Sequence, residues 1–507
     1  MVIDSHTELA KELGLKEALA IAIGAMIGGG IFTALGRVAA LAGPFAVISF
    51  FIGGVISLLT AHSYVKLVGK YPSAGGEFVI LRRGFNSPFF GNFIGILLWL
   101  GYSVTIALYA STFGAYVSEW FHQLIPIPFF DPNTSSLFSF RQLMSATAIF
   151  TFMTINLRGV KETGFVQNII VSFKLFILLL LVVVGLMFIQ PDRYITSFQT
   201  VLSESPGTNI FLTFFSGIFV GGAIIFVSYE GFQVIANTVE ELKDPTRIVP
   251  IGMYVSVIVV SLTYMGVTFV AIGLIDGRIT ETALIQAVEF LGPVAVTLIT
   301  LGAIASTTSA INATLLGSSR LAYVMSDWQA FPKKLAVISK KSKVPYLSII
   351  ITSLISFLFT ALGSGSVIAE VGSIIFLVIF LAINYSVIVI YKDESTLISK
   401  IAVLLISLNL LLAIYFALFI SKEDQSFAFV ILGFFSFVTI TWVIFNHMFN
   451  KDSRSYKTKG YELKPLGTEQ IKEFKYEETA DTFFMDLDHM LVTVTGESYE
   501  TTSIQIT

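Results

Sequence analysis

From residue 15 to residue 449 the chain repeats one pattern: a long apolar run, then a short polar stretch. Each run is long enough to cross the roughly 30 Å hydrocarbon core of a bilayer as a helix. The pattern predicts twelve membrane helices, near 15–42, 44–68, 91–121, 140–156, 164–189, 208–238, 249–275, 285–323, 346–363, 367–391, 399–420 and 427–449. Several exceed the minimum for a span, so tilt or breaks are expected. After 450 the pattern stops. The tail is polar and turns acidic beyond Glu469, with helical potential over 469–482 and a short β-prone run at 490–495. Its composition leaves open a segment of low order and a docked regulatory segment.

Two of the runs are interrupted. The first contains Gly28-Gly29-Gly30, and each glycine disfavours helix by about 1 kcal/mol relative to alanine. Close helix packing explains Gly24 and Gly28, four apart, but three glycines in a row favour an unwound segment. The sixth run carries Gly221-Gly222 and then Phe226-Val-Ser-Tyr-Glu-Gly-Phe232, with Glu230 at membrane depth. Each interrupted run opens a group of five, which predicts an inverted repeat with a binding site between the breaks. Half-helix amino termini offer free N–H groups to a carboxylate, and freed carbonyls accept from an ammonium. Together they suit a zwitterionic amino acid. The substrate-facing set is Ile23, Ile27, Gly28, Gly29, Gly30, Ile225, Phe226, Ser228, Tyr229 and Glu230. Phe226 and Tyr229 are candidates for an aromatic lid or for ordinary packing. Glu230 either selects a cationic side chain or faces a watery vestibule. Trp99, Tyr102 and Tyr109 form an aromatic stripe that reads as packing.

Lys174 stands alone in the apolar run 165–189. Ten residues in from Gly164, at about 1.5 Å each, it lies roughly 15 Å deep. Its ammonium is too deep to snorkel to an interface, and leaving it unpaired costs at least ~2.5–3.5 kcal/mol. It must face protein, find acceptors or lose its proton.

Composition supports the membrane class, with 55% hydrophobic and 13% charged residues. The charge is sorted by side. Lys66, Lys70, Arg82, Arg83, Arg158, Lys161, Lys243, Arg247 and the basic residues of 333–343 fall on one side, against Arg141, Arg193, Arg278 and Lys422 on the other. This asymmetry predicts both termini in the cytoplasm. No cleavage-site pattern precedes the first span, so no removable leader is expected. Without cysteine the chain forms no disulfide. The five histidines lack ligand spacing, so no metal and no cofactor is expected. Glu77 and the pair Glu240/Glu241, near Arg82, Arg83 and Lys243 on the cytoplasmic side, are expected in inner-gate or loop salt bridges and not in contact with substrate. No phosphate-binding loop suggests ATP-driven transport, and no acid/base cluster suggests an enzyme. Nothing points to nucleic acid.

Four stretches, quoted as they stand, resemble the amino acid–polyamine–organocation superfamily. They are Gly24-Ala-Met-Ile-Gly-Gly-Gly-Ile-Phe32, Tyr71-Pro-Ser-Ala-Gly-Gly-Glu77 after His62-Ser-Tyr-Val-Lys-Leu, Ser228-Tyr-Glu-Gly-Phe232 leading to Pro250, and Ser306-Thr-Thr-Ser-Ala-Ile-Asn312 with Ser319-Arg-Leu-Ala-Tyr. Asn156-Leu-Arg-Gly-Val-Lys followed by Lys174 is similar to the sodium-independent, proton-coupled amino acid transporters. Gln233, where many members carry an acid, and Glu230 depart from the pattern.

The resemblance implies an all-α membrane protein of twelve transmembrane helices, a LeuT-type five-plus-five inverted repeat with broken helices 1 and 6. Its parts would be a cytoplasmic 1–14, repeats over 15–189 and 208–391, two further helices over 399–449 and a cytoplasmic tail over 450–507. Lys174 would take the place of a sodium ion and couple a proton, beside Gly24 and Ser306 or Ser309; a permanent tether is the alternative. The function implied is proton-coupled amino acid uptake by a multi-pass permease of the cell membrane, its partners the amino acid, H+ and the lipid bilayer. A sodium-independent exchanger, a carrier of cationic amino acids or polyamines, and a membrane amino acid sensor remain open. The oligomeric state is not implied.

Overall fold

A computed structural model describes residues 13–72, 76–85, 87–132, 139–159, 164–204, 209–339, 342–363, 365–391, 396–419, 482–487 and 490–495. The chain divides into two units, 1–450 and 451–507. The named elements of the first are all helices. It begins with α1 (Leu15–Met26), α2 (Gly29–Ala42), α3 (Ala46–Lys70), α4 (Gly76–Gly84), α5 (Pro88–Leu124), α6 (Phe140–Leu157), α7 (Gly164–Gly185) and α8 (Pro191–Glu204). It continues with α9 (Ile210–Ile224), α10 (Val234–Asn237), α11 (Pro245–Leu274), α12 (Ala283–Gln286), α13 (Pro293–Asp327), α14 (Tyr346–Leu362), α15 (Gly365–Ile390) and α16 (Leu397–Phe419). Among the described residues seven helical segments are long and apolar enough to cross a membrane. The second unit contains an antiparallel hairpin, β1 (Thr482–Leu487) and β2 (Met490–Thr495), and β2 coincides with the β-prone run.

Polar side chains set where these helices start. Ser87 and Ser139 accept the amides of Phe90 and Gln142, Asn209 accepts that of Phe211, and Asp244 accepts that of Arg247. Each supplies an acceptor to an amide that the helix leaves unpaired. Successive long helices run in opposite directions and so define two ends. The near end carries Leu13, α4 and residues 237–245; the far end carries Ala42, residues 125–132, Ser139 and residues 275–292. The bundle is centred on α2, α5, α13 and α15, whose facing residues are almost wholly buried.

Several elements differ from the apolar pattern. The polar stretch after α3 contains a helix, α4, whose Phe78 to Leu81 face is buried. Residues 191–204, outside every predicted span, form α8 across the far end, where Phe198 stacks on Phe214 at 4.5 Å with Phe45 beside them. The eighth span starts at Pro293, because Gly292 adopts φ 85° and ends the short segment before it. The predicted twelfth span, 427–449, lies outside the described residues, as do residues 1–12.

The first and sixth runs are both interrupted. Helix stops at Met26 and resumes at Gly29. In the other run α9 gives way to a 3-10 turn at 225–229, an extended Glu230 and Gly231 at φ +134°. Gly231 is glycine for two reasons. Few other residues adopt that φ, and a Cβ there would sit 2.5 Å from the Met26 amide nitrogen. Gly231→Ala is therefore expected to destabilise the protein by at least ~1–3 kcal/mol. Gly317→Ala, in a helix with nothing within 4 Å of the added methyl, should raise stability by roughly 0.5–1 kcal/mol. Thermal unfolding of the detergent-purified protein checks both signs.

Candidate functional site

The break in the first run leaves the carbonyls at the end of α1 without helical donors. Ile23 O accepts from the Ile27 amide at 2.9 Å, and Met26 O from the Gly28 amide at 2.9 Å. Gly24 O and Ile27 O are met from neighbouring helices. Lys174 Nζ on α7 donates to Gly24 O at 2.6 Å, to Ile27 O at 2.7 Å and to Ser309 Oγ on α13 at 3.1 Å. Ser306 Oγ also donates to Ile27 O at 3.1 Å, and Ser309 Oγ to Ser306 O at 3.2 Å. Lys174 is fully buried. Its three N–H bonds thus meet three acceptors, and its charge faces the negative end of a helix dipole. The structure brings Lys174, Gly24, Ile27 and Ser309 into direct contact, with Ser306 one carbonyl away.

The second break packs against the first. Tyr264 OH on α11 lies 2.7 Å from Met26 O and 3.1 Å from Ser228 O, so one phenol ties the two interruptions. Ser373 on α15 accepts the Val227 amide at 2.9 Å and donates to Ile224 O. A Cβ on Gly30 would fall 2.7 Å from Ser228 Cα. The run of glycines is therefore explained by contact as well as by unwinding. Gly28 and Gly29 sit under the ring of Tyr109 on α5, whose atoms would lie 2.6 and 2.8 Å from an added Cβ.

The remaining predicted residues are distributed as follows. Ser228 Oγ is buried beside the start of α2 and has no hydrogen-bond partner. Glu230 is 3% exposed; Tyr109 OH donates to its Oε2 at 3.5 Å and Gln233 Nε2 to its Oε1 at 3.2 Å. Gln233 Oε1 in turn accepts the Gly231 amide at 2.9 Å. Among the described residues no cation pairs with Glu230. Tyr229 turns away from the breaks: its OH donates to Phe50 O on α3 at 2.7 Å, and its ring meets Tyr264 edge-on. Phe226 turns to α15, edge-on to Phe380 at 5.4 Å. Ile225 is buried in the same 3-10 turn. In this closed arrangement neither aromatic ring forms a lid.

Sequence reading missed three residues that build the site. Tyr264 and Ser373 carry no sequence signal beyond polarity within an apolar run. Tyr109 was legible only as part of the stripe with Trp99 and Tyr102. The structure separates the stripe: Trp99 Nε1 donates to Thr352 on α14 at 3.0 Å, Tyr102 packs on Phe376, and Tyr109 covers the glycines.

Both ends of the bundle are shut. At the far end Arg37 pairs with Glu370 at 3.0 Å and Arg141 with Glu281 at 2.7 Å, while the Ser366 amide donates to Glu281 at 3.3 Å. At the near end Leu13 exchanges backbone bonds with Glu241 O and the Lys243 amide, both at 3.0 Å. The Glu240 side chain lies outside the described residues.

Interrupted membrane helices crossing within a closed bundle characterise membrane transport proteins, and the fold agrees. A manganese transporter of Eremococcus coleocola superposes with a TM-score of 0.54 at 10% identity, covering 88% of this chain and 99% of that one. The chain belongs to the amino acid permease family, whose profile matches residues 13–459. It is 31% identical to the inner membrane transport protein YbaT of Escherichia coli over 74% of this chain and 82% of that protein. It is 28% identical to the methylthioribose transporter of Bacillus subtilis over 76% and 82%. The protein is thus a multi-pass membrane transport protein and not an enzyme.

Removing a donor from these buried carbonyls tests the arrangement. Tyr264→Phe leaves Ser228 O without its donor and is expected to cost about 1–3 kcal/mol. Ser309→Ala strips one acceptor from a buried ammonium and is expected to cost about 1.5–3 kcal/mol. Tyr194→Phe removes a bond to Phe269 O at a partly exposed position, where water replaces the donor, and should change stability by less than about 1 kcal/mol. Thermal unfolding of the three variants gives the ranking.

Proposed function

We propose that the protein is a secondary transporter that takes up amino acids by alternating access around the two breaks. The observation that carries this reading is the junction of the breaks. There the amino terminus of α2 lies beside a buried, unpartnered Ser228 Oγ. The Gly28, Gly29 and Gly30 amides would hold the substrate carboxylate. The carbonyls of Ile23, Ile225, Phe226 and Ser228 would hold its amine. Tyr109 covers those glycines in the closed arrangement, so substrate entry would displace its ring.

The architecture on this reading is twelve helices in a LeuT-type five-plus-five inverted repeat over 15–189 and 208–391, with helices 11 and 12 and a tail following. Corresponding insertions support it. A short helix, α4, lies between the second and third spans, and α12 lies between the seventh and eighth, at opposite ends of the bundle. The near end bears most of the lysine and arginine, which supports cytoplasmic termini in a cell-membrane protein.

Lys174 would couple transport to protons. While α1 presents Gly24 O and Ile27 O, the ammonium is favoured; when α1 swings away, the buried amine loses those acceptors and releases its proton. Substrate and proton would then stabilise the same conformation. One observation supports a second reading, a carrier of cationic amino acids: Glu230 is a buried carboxyl at the site with no cation paired to it among the described residues.

Uptake of radiolabelled amino acids into sodium-free proteoliposomes tests these readings. With an inward proton gradient the wild type should accumulate substrate and Lys174→Ala should not. Flux that ignores the gradient and needs internal amino acid identifies an exchanger, with Lys174 a brace. Glu230→Gln should spare uptake of neutral amino acids; selective loss of arginine and lysine uptake favours the cationic reading. Ending the chain at residue 450 should leave flux intact, whereas a sensor would lose its output.

A further inference from the structure

Glu77 opens α4 at the near end, outside the membrane-spanning segments, and is 1% exposed. Its side chain accepts a hydrogen bond from Tyr64 OH on α3 at 3.1 Å. The salt bridge expected from the sequence is not formed: no lysine, arginine or histidine pairs with it among the described residues. Arg82 instead donates to Asn92 and to Trp328 O, with its guanidinium over the Trp328 ring, and Arg83 also lies over Trp328.

The groups that face Glu77 from neighbouring elements are uncharged or acidic. Tyr64 comes from α3 and Tyr102 from α5, and Glu230 in the second break acts on the same tyrosines and is itself acted on by the Glu77 charge. From α10 comes Asn237, so close that a Cβ on Gly76 would collide with its Oδ1. On α15, Tyr385 stacks on Phe85 and is half exposed. A carboxylate buried without a cation is costly, and a neutral carboxyl is not. Burial accordingly pushes the Glu77 carboxyl up to about 7.

We propose that Glu77 is a proton-binding site, distinct from Lys174, that holds the near end shut. In the closed bundle the carboxyl carries a proton. When α4 parts from α10 and the second break, water reaches the side chain, the O–H bond breaks, and the proton passes to water. The carboxylate left behind is hydrated and resists reburial, so each closing must take a proton from the near side.

The direction of the pH effect follows from linkage. Exposed, the carboxyl titrates near ~4.3; buried, it titrates near 7. Protonation stabilises the closed form fully below the exposed value, and this stabilisation is lost as pH rises to about 7. Opening of the near end is thus favoured by up to tenfold per pH unit through that window and levels off above it.

The proposal assumes that the near end opens, as the transport reading requires, but its test does not need transport. The chain has no cysteine, so Ala236→Cys, 1% exposed in the closed form, reports opening through maleimide labelling in proteoliposomes. The ratio of labelling rates with Glu77 and with Glu77→Gln cancels the pH dependence of the thiol itself. This ratio should climb by up to tenfold per unit between pH 5 and 7 and flatten above 7. A ratio independent of pH overturns the proposal. Tyr64→Phe removes the donor that favours the ionised carboxyl, so the flattening should move to higher pH. An unmoved profile in that variant also overturns the proposal, even where Glu77→Gln fails to fold. Labelling that responds to pH without any uptake would sink the transport reading and leave this one standing.

Discussion

An ammonium at the centre of a membrane helix bundle needs three acceptors, and most of this structure can be traced to how they are found. A continuous helix has no carbonyl to spare at mid-length, because each accepts from the amide four residues on. A broken helix has up to four. The break after Met26 therefore supplies acceptors to Lys174, and Lys174 supplies the break with donors that water provides at a surface. Each makes the other tolerable. The cost of burying the charge alone, or the open carbonyls alone, is several kcal/mol, and the three contacts at 2.6, 2.7 and 3.1 Å offset both. Because the partners come from α1, α7 and α13, this local solution fixes three helices at one point.

The second break depends on the first through shape and one hydroxyl. Gly231 lies against the Ala25 and Met26 backbone and Gly30 against Ser228, so the two unwound segments touch closely at residues that carry no side chain of their own. Tyr264 then bridges Met26 O and Ser228 O. A displacement of α1 would act on the Lys174 contacts and on the Tyr264 bridge together. On the proposed mechanism this is how the charge on α7 and the substrate-binding backbone share one equilibrium, with no further relay between them.

Much of this was legible in the sequence, and the division has a physical reason. Apolar length located the seven long apolar helices found among the described residues, since bilayer thickness dictates it, and three glycines in a row marked a break, since helix propensity dictates that. Lys174 stood out because a lone charge in lipid is costly wherever it points. None of these signals says what a side chain faces. Tyr264, Ser373 and Tyr109 are ordinary polar or aromatic residues within apolar runs, and only packing shows that their hydroxyls and rings complete the breaks. Tyr229 and Phe226 illustrate the converse. Their position beside the second break left a lid and ordinary packing open, and in this arrangement their rings turn toward α3 and α15. Hydropathy also overlooked α4 and α8, whose buried faces rest on protein and so need no span-length run.

The two ends are closed by different chemistry, and this bears on how they open. At the far end Arg37–Glu370 and Arg141–Glu281 join charges of opposite sign, with Glu370 buried and the other three groups partly exposed. Water and salt screen the exposed partners, and parting the pairs leaves each charge free to be hydrated. At the near end the carboxyl of Glu77 is buried against the phenol of Tyr64, with no cation paired to it among the described residues. Parting that contact exposes a group whose charged form strongly prefers water. An ion-paired closure and a neutral-carboxyl closure respond to opposite conditions, the first to ionic strength and the second to proton concentration. A bundle built this way is biased by the solutions on its two sides even before substrate binds, and in the direction that a proton gradient across a membrane would exploit.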